Sequence, residues 1–199
     1  MQGGNLYNKY SSKIPLVKFL MKNYFKQFDF LFSKCRGVRS ILDVGCGEGY
    51  IIKYIKNKYD NKKLYLEGVD LSKDVIKIAK KNNPDVKFSK GDIYCLNYKD
   101  NSFDLVLATE VLEHLEKPEE ALKELKRVSR KYIILSVPRE PLFRIANILR
   151  LKYLKRLGNT PGHIQNWTRK NFEKLLNKYF KKIIIKTAII WTLALCIKN

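Results

Sequence analysis

Between residues 40 and 138 the chain alternates short, continuously apolar runs with segments of helical periodicity. SILDVG (40–45), LYLEGVD (64–70), VKFSKGD (86–92), FDLVLAT (103–109) and YIILSVP (132–138) read as strands. Between them, GYIIKYIKNKY (49–59), SKDVIKIAKKN (72–82) and PEEALKELKRVSR (118–130) read as helices. Ser72 is an N-cap candidate, and Pro118 opens the third helix ahead of two glutamates. Strands apolar along their whole length, each joined to the next by a helix-sized segment, predict a parallel sheet covered on both faces. The ends add to this. Residues 14–34 carry a helical stripe that includes Val17, Met21, Tyr24 and Phe28, and 168–180 is helical. KIIIKTA (182–188) and IIWTLALCI (189–197) lie close together, which predicts an antiparallel pair at the sheet edge. The fold class is α/β, in one domain of 1–199. It comprises an N-terminal helical cover (1–36), a core (37–138), an insertion (139–167) and a closing helix with two strands (168–199).

Composition narrows the classes. Of 199 residues, 45% are apolar, too many for a disordered polycation despite a net charge of +21. No run approaches the ~20 apolar residues of a spanning helix. The first residues show no signal-peptide pattern, so a cytoplasmic protein, or one peripheral at a membrane, is expected. Lys, Ile, Asn, Tyr and Phe make up 87 residues, a mixture that AT-rich coding produces by itself. Such bias does not segregate charge, yet residues 1–36 carry +6, residues 37–120 carry −1 and residues 121–199 carry +16. Cys35, Cys46, Cys95 and Cys196 are scattered, with no metal-ligand spacing, and no metal site is expected.

The sharpest motif is Asp43-Val44-Gly45-Cys46-Gly47-Glu48-Gly49, directly after a strand and before a helix. Glycines allow a tight turn and close approach of backbone to a ligand, and the helix N-terminus adds a positive field. Asp70 ends the second strand, where a carboxylate can accept hydrogen bonds from both hydroxyls of a ribose. Asp92 ends the third, where it can accept from an adenine amino group. A dinucleotide dehydrogenase loop is one residue longer between its last two glycines and leaves Asp43 and Asp92 without a reason.

DVGCGEG, GVDLS, GDIYCL and FDLVLATEVLEHLEKPEEALKELKRV together resemble the class I S-adenosylmethionine-dependent methyltransferases. Within them the match is to the methyltransferase type 11 group, which includes ubiquinone and menaquinone biosynthesis enzymes. The resemblance covers about residues 38–138. It implies a Rossmann-like, seven-stranded, mostly parallel sheet with an antiparallel last strand and helices on both faces. It also implies S-adenosyl-L-methionine as cofactor. Gly45, Gly47 and Gly49 would pass the methionine portion, with Asp43 helping to hold its ammonium. Asp70 would bind the ribose, Leu71 would flank the adenine, Asp92 and Ile93 would contact it from the other side, and Glu110 would face the methionine end. Tyr7 and Tyr10 would fold over the cofactor.

Two histidines are candidate catalytic residues. His114 follows the fourth strand in Glu113-His114-Leu115, and its alternative is a structural histidine bonded to backbone. His163 lies in NTPGHIQNW, either a substrate loop or a turn in which it packs on Trp167. Residues 139–157 read as one basic amphipathic helix, with Leu142, Ile145 or Ala146, Leu149 and Tyr153 on its stripe. Such a helix suits a lid over a small-molecule or lipid-like acceptor, which is the leading expectation, or an anionic membrane surface. RNA ranks lower. No stacking-aromatic signature is evident, and Ala108-Thr109-Glu110-Val111 stands where nucleobase amine methyltransferases carry Asn/Asp-Pro-Pro-aromatic. Ribose or carbon methylation of RNA stays open, as does a non-catalytic cofactor-binding partner subunit. The sequence leaves the oligomeric state unknown.

Overall fold

The computed structural model describes residue 10, residues 12–59 and residues 63–198. Seven strands form one sheet: β1 (Ser40–Val44), β2 (Tyr65–Asp70), β3 (Lys87–Lys90), β4 (Phe103–Thr109), β5 (Ser129–Pro138), β6 (Lys182–Ala188) and β7 (Trp191–Ile197). Their order is β3-β2-β1-β4-β5-β7-β6. All neighbours from β3 to β5 pair parallel, and β7 runs antiparallel to both β5 and β6. The helices are α1 (Pro15–Ser33), α2 (Tyr50–Lys58), α3 (Lys73–Asn82), α4 (Pro118–Val128), α5 (Leu142–Leu149) and α6 (Arg169–Asn177). None among the described residues is long and apolar enough to cross a membrane.

The continuous apolar strands are explained by two cores. In β5, Ile133, Leu135 and Val137 face one core, and Tyr132 and Ile134 the other. In β7, Ala194 and Cys196 join the first, and Trp191, Leu193 and Leu195 the second. Side chains alternate across a strand, so burial on both faces removes the polar alternation of a half-exposed sheet. The first core is closed by α4 and α6 through Leu122, Leu125, Phe172 and Leu176. The second is closed by α1 through Val17, Met21, Tyr24, Phe28 and Leu31. Tyr24 buries its hydroxyl there at 2.9 Å from Ser136 Oγ of β5.

Local chemistry sets the boundaries. Ser72 and Thr168 cap α3 and α6, accepting from Val75 N (3.4 Å) and Asn171 N (3.1 Å). The β4–β5 register shifts between Phe103 and Leu105. Asp104, at that irregularity, accepts from the Arg39 and Ser40 amides at 2.9 and 3.0 Å and so fixes the start of β1. Helix α4 passes into β5 with no linker, so Ser129, Arg130 and Lys131 are strand rather than helix end.

The insertion departs from the expected single helix over 139–157. Helix α5 stops at Leu149, a 3-10 turn follows at Leu154–Arg156, and Leu151, Tyr153 and Leu157 are left-handed. Of α5, only Asn147 is buried, and its Nδ2 donates to Gly158 O (2.9 Å) and Thr160 Oγ1 (3.2 Å). That polar anchor folds the chain back on itself, and Leu149, on the expected apolar stripe, is 79% exposed.

Candidate functional site

A cavity of about 510 Å³ opens at the carboxyl ends of β1, β2 and β4, where open α/β sheets hold ligands. Gly45, Gly47, Asp70, Leu71, Asp92, Ile93 and Glu110 all line it. Asp43 and Gly49 do not. Asp43 lies buried at the end of β1 just behind the loop, 1% exposed. Gly49 is the left-handed N-cap of α2, and a Cβ there would meet Asn83 Nδ2 at 2.7 Å and Phe88 Cζ at 3.2 Å. Its smallness therefore serves the packing of α2 on α3 and β3.

The other two loop glycines face different constraints. Gly45 has φ +70°, and a Cβ would strike Val111 Cγ2 at 2.5 Å. Gly47, at φ +53°, has nothing among the described residues within 4 Å of a Cβ position. Asp70 ties the loop to its neighbour: one oxygen accepts from Gly47 N and the other from Ser72 N, both at 3.0 Å. A carboxylate has about four lone-pair sites, so capacity for a ligand's hydroxyls remains. Asp92 accepts from Tyr94 N at 3.0 Å, which shapes the turn after β3. Leu71 is an exposed apolar wall.

Electrostatics single out Asp43. Neither of its buried oxygens accepts a hydrogen bond among the described residues. Burial, aided by the Asp70 carboxylate, pushes its carboxyl up from 3.8 to about 8. A buried carboxyl in this state asks for a cationic donor. Tyr10 closes the cavity from the N-terminal side and stacks on Tyr50, ring centroids 4.7 Å apart. Burial raises the Tyr10 hydroxyl well above its usual range, with the Glu110 carboxylate adding to the effect. Tyr7 lies outside the described residues.

A second cavity, of about 440 Å³, adjoins the first between α1, the insertion and the β6–β7 turn. Leu20, Phe143, Ile190 and Trp191 supply apolar wall, and Arg150 and Lys152 also line it. Glu110 and His114 line both cavities. Glu110 takes a left-handed backbone, φ +57°, at the end of β4, with its amide donating to Ser136 O at 2.8 Å.

His114 ends a 3-10 turn, Leu112–His114. Its Nδ1 lies 3.0 Å from the Gly162 carbonyl. A carbonyl only accepts, so Nδ1 carries the proton and a neutral His114 keeps its lone pair on Nε2. His163 lines the second cavity alone. It meets the His114 ring edge-on at 4.9 Å and stacks with Phe143 at 5.7 Å, while Trp167 packs near Phe172 instead. The loop carrying His163 is pinned to the 3-10 turn, because Ile164 N and Gln165 N both donate to Glu113 O at 2.9 and 3.0 Å. Glu113 is not among the site residues expected from the sequence. Its signal was a second carboxylate in an apolar stretch after β4, and the structure buries it to 1% exposure.

Comparison with known proteins agrees with this geometry. Residues 42–135 match the family model described as a methyltransferase domain. Ajmaline N-methyltransferase of Rauvolfia serpentina is 35% identical over 97 residues, 46% of this chain and 32% of that protein. Demethylmenaquinone methyltransferase of Renibacterium salmoninarum is 33% identical over 90 residues, 45% of this chain and 36% of that one. The match thus spans about a third of these curated relatives' length. Among solved structures, the plantazolicin methyltransferase BpumL, in complex with a triazolic desmethylPZN analog and SAH, superposes with a TM-score of 0.73 at 21% identity. That match covers 96% of this chain and 88% of that one.

Proposed function

Residues 42–135 are a methyltransferase domain on the class I, S-adenosylmethionine-dependent fold, and from that premise we propose that the chain methylates a small-molecule or lipid-like acceptor held in the second cavity. One observation carries the reading: two adjoining cavities share Glu110 and His114 as a common wall, one beside the glycine loop and one under the insertion. The first cavity fits S-adenosyl-L-methionine by its own chemistry. Gly47 offers backbone, Asp70 and Asp92 offer acceptors, Leu71 and Ile93 offer apolar faces, and behind the loop Asp43 holds a buried carboxyl that accepts no hydrogen bond among the described residues. When bound, the cofactor supplies a methyl group activated by the positive sulfur that carries it.

The chain's own part is positioning and exclusion of water. Tyr10 closes the cofactor side, and Phe143, Trp191 and Leu20 enclose the body of the acceptor. His114 and His163 stand on the wall of this cavity toward the acceptor's reacting group, and the Gly162 carbonyl sets the His114 tautomer. The relatives named above differ in the compounds they are named for, so the acceptor follows from this second cavity: an apolar compound with one polar reacting group.

Incubation with methyl-labelled S-adenosylmethionine and separated small-molecule, lipid, RNA and protein fractions tests this. Label in the small-molecule or lipid fraction is expected. Label in RNA overturns the acceptor class, and no label despite cofactor binding favours a non-catalytic partner subunit.

A second reading has its own observation. Leu149, Leu151 and Leu157 point outward, and Leu157 is 70% exposed, beside Arg150, Lys152, Lys155 and Arg156. This mixture suits an anionic lipid surface from which an acceptor is drawn. Flotation with anionic vesicles at low salt checks it, and no co-flotation removes it.

A further inference from the structure

We propose that Glu113, His114 and His163 form a binding site for one divalent transition-metal ion of the zinc class. The donor atoms of these three side chains lie within 4.8 Å of one another. Two imidazoles and one carboxylate are a donor set that zinc takes in catalytic sites, with a further position left open for water or substrate.

Three independent features of the fold support ligand geometry over chance proximity. First, His114 Nδ1 donates to the Gly162 carbonyl at 3.0 Å, which leaves the ring's lone pair on Nε2. A backbone carbonyl holding the outer N–H is the usual support for a metal-bound histidine, because it fixes both tautomer and ring plane. Second, Glu113 is 1% exposed and sits on the short 3-10 turn with His114, so two ligands are set on one rigid element. Third, the amides of Ile164 and Gln165 both bond the Glu113 carbonyl, which brings His163 to the other two from across the sequence. Donor atoms around a tetrahedral ion with bonds of about 2.0–2.1 Å stand roughly 3.3 Å apart, so loading shortens the separations among the three by up to about 1.5 Å.

The location gives the ion a use. His114 lines both cavities and His163 the second, so a bound cation stands where cofactor and acceptor cavities meet. Its open position takes an oxygen. An acceptor hydroxyl bound there loses its proton to water more readily, as water does on zinc. The oxygen's electron pair then forms the new oxygen–methyl bond, and the pair of the breaking carbon–sulfur bond stays on sulfur. The acceptor class narrows to apolar compounds with a hydroxyl. This catalytic use rests on the methyl-transfer reading; the binding of the ion does not.

The test uses the full chain, stripped by chelator and carrying Cys95→Ser to remove an exposed thiol. Titration with Co²⁺, followed by its visible absorption, and displacement by Zn²⁺ should show one ion per chain. His163→Ala and Glu113→Gln should each weaken binding at least about 100-fold. Affinity for S-adenosylhomocysteine should stay within about threefold in His163→Ala, which also reports that the variant is folded. No absorption band, or binding that survives His163→Ala, overturns the site. Ion binding without any S-adenosylhomocysteine binding keeps the site and overturns the methyl-transfer reading instead.

Discussion

Replacing Asp43 with Asn should make the ligand-free protein more stable at alkaline pH and less able to bind its cofactor. Asp43 is 1% exposed, and neither buried oxygen accepts a hydrogen bond among the described residues. Burial, with the Asp70 carboxylate second, raises its carboxyl from 3.8 to about 8. The folded chain therefore keeps a proton on Asp43 through a pH range in which the unfolded chain has lost it. The stability this proton confers is complete below about pH 4 and is lost as pH rises through about 8. A displacement of about four pH units corresponds to on the order of 5 kcal/mol as an upper bound. Relaxation and water entry around the ionised group bring that to roughly 2 kcal/mol. For a chain of this length that is about 4–8 °C in Tm. The assay is thermal unfolding of wild type and Asp43→Asn, both ligand-free, from about pH 5 to about pH 9. The difference in Tm should grow with pH in favour of Asn, because the amide never ionises. The variant's affinity for S-adenosylhomocysteine should fall about 10- to 100-fold, since a charged partner for the ammonium is lost. A difference in Tm that stays flat with pH would refute the reasoning, because Asp43 would then carry no burden in the free protein.

Gly45→Ala should destabilise the fold by roughly 1–3 kcal/mol and close the cofactor cavity. Its Cβ would lie 2.5 Å from Val111 Cγ2 at φ +70°, and unchanged Tm and affinity would contradict this. Asp70→Ala should weaken S-adenosylhomocysteine binding by at least about tenfold, because it removes a ribose acceptor and frees two backbone donors. Calorimetry checks it, and an unchanged affinity removes the ribose assignment. Tyr24→Phe should cost about 1 kcal/mol, read in denaturant midpoint, through the lost bond to Ser136, with cofactor affinity untouched.

The cofactor half of the molecule was legible because its signals are local. A glycine loop between an apolar run and a helical pattern, followed by Asp70 and Asp92 at successive strand ends, marks one sheet edge without any tertiary information. The family resemblance adds expected roles for those residues. The break of the helix within 139–157 was not legible, because its stops are not written in turn-forming residues. Leu151, Tyr153 and Leu157 turn the chain with left-handed backbones, and the fold-back depends on Asn147 reaching Gly158 and Thr160. The β6–β7 break falls where the sequence divides the two strands, after residue 188, with Ile189 at φ +51° making the turn. Glu113 and His163 were separable only as single residues. Fifty positions apart, their segments are joined by main-chain hydrogen bonds from Ile164 and Gln165 to the Glu113 carbonyl, which no side-chain pattern announces.

Calorimetric titration of the chain with S-adenosylhomocysteine tests the central claim most directly. The account predicts saturable binding of one ligand per chain, weakened in Asp43→Asn and Asp70→Ala. No binding at about millimolar ligand, a free energy near −4 kcal/mol, would contradict it.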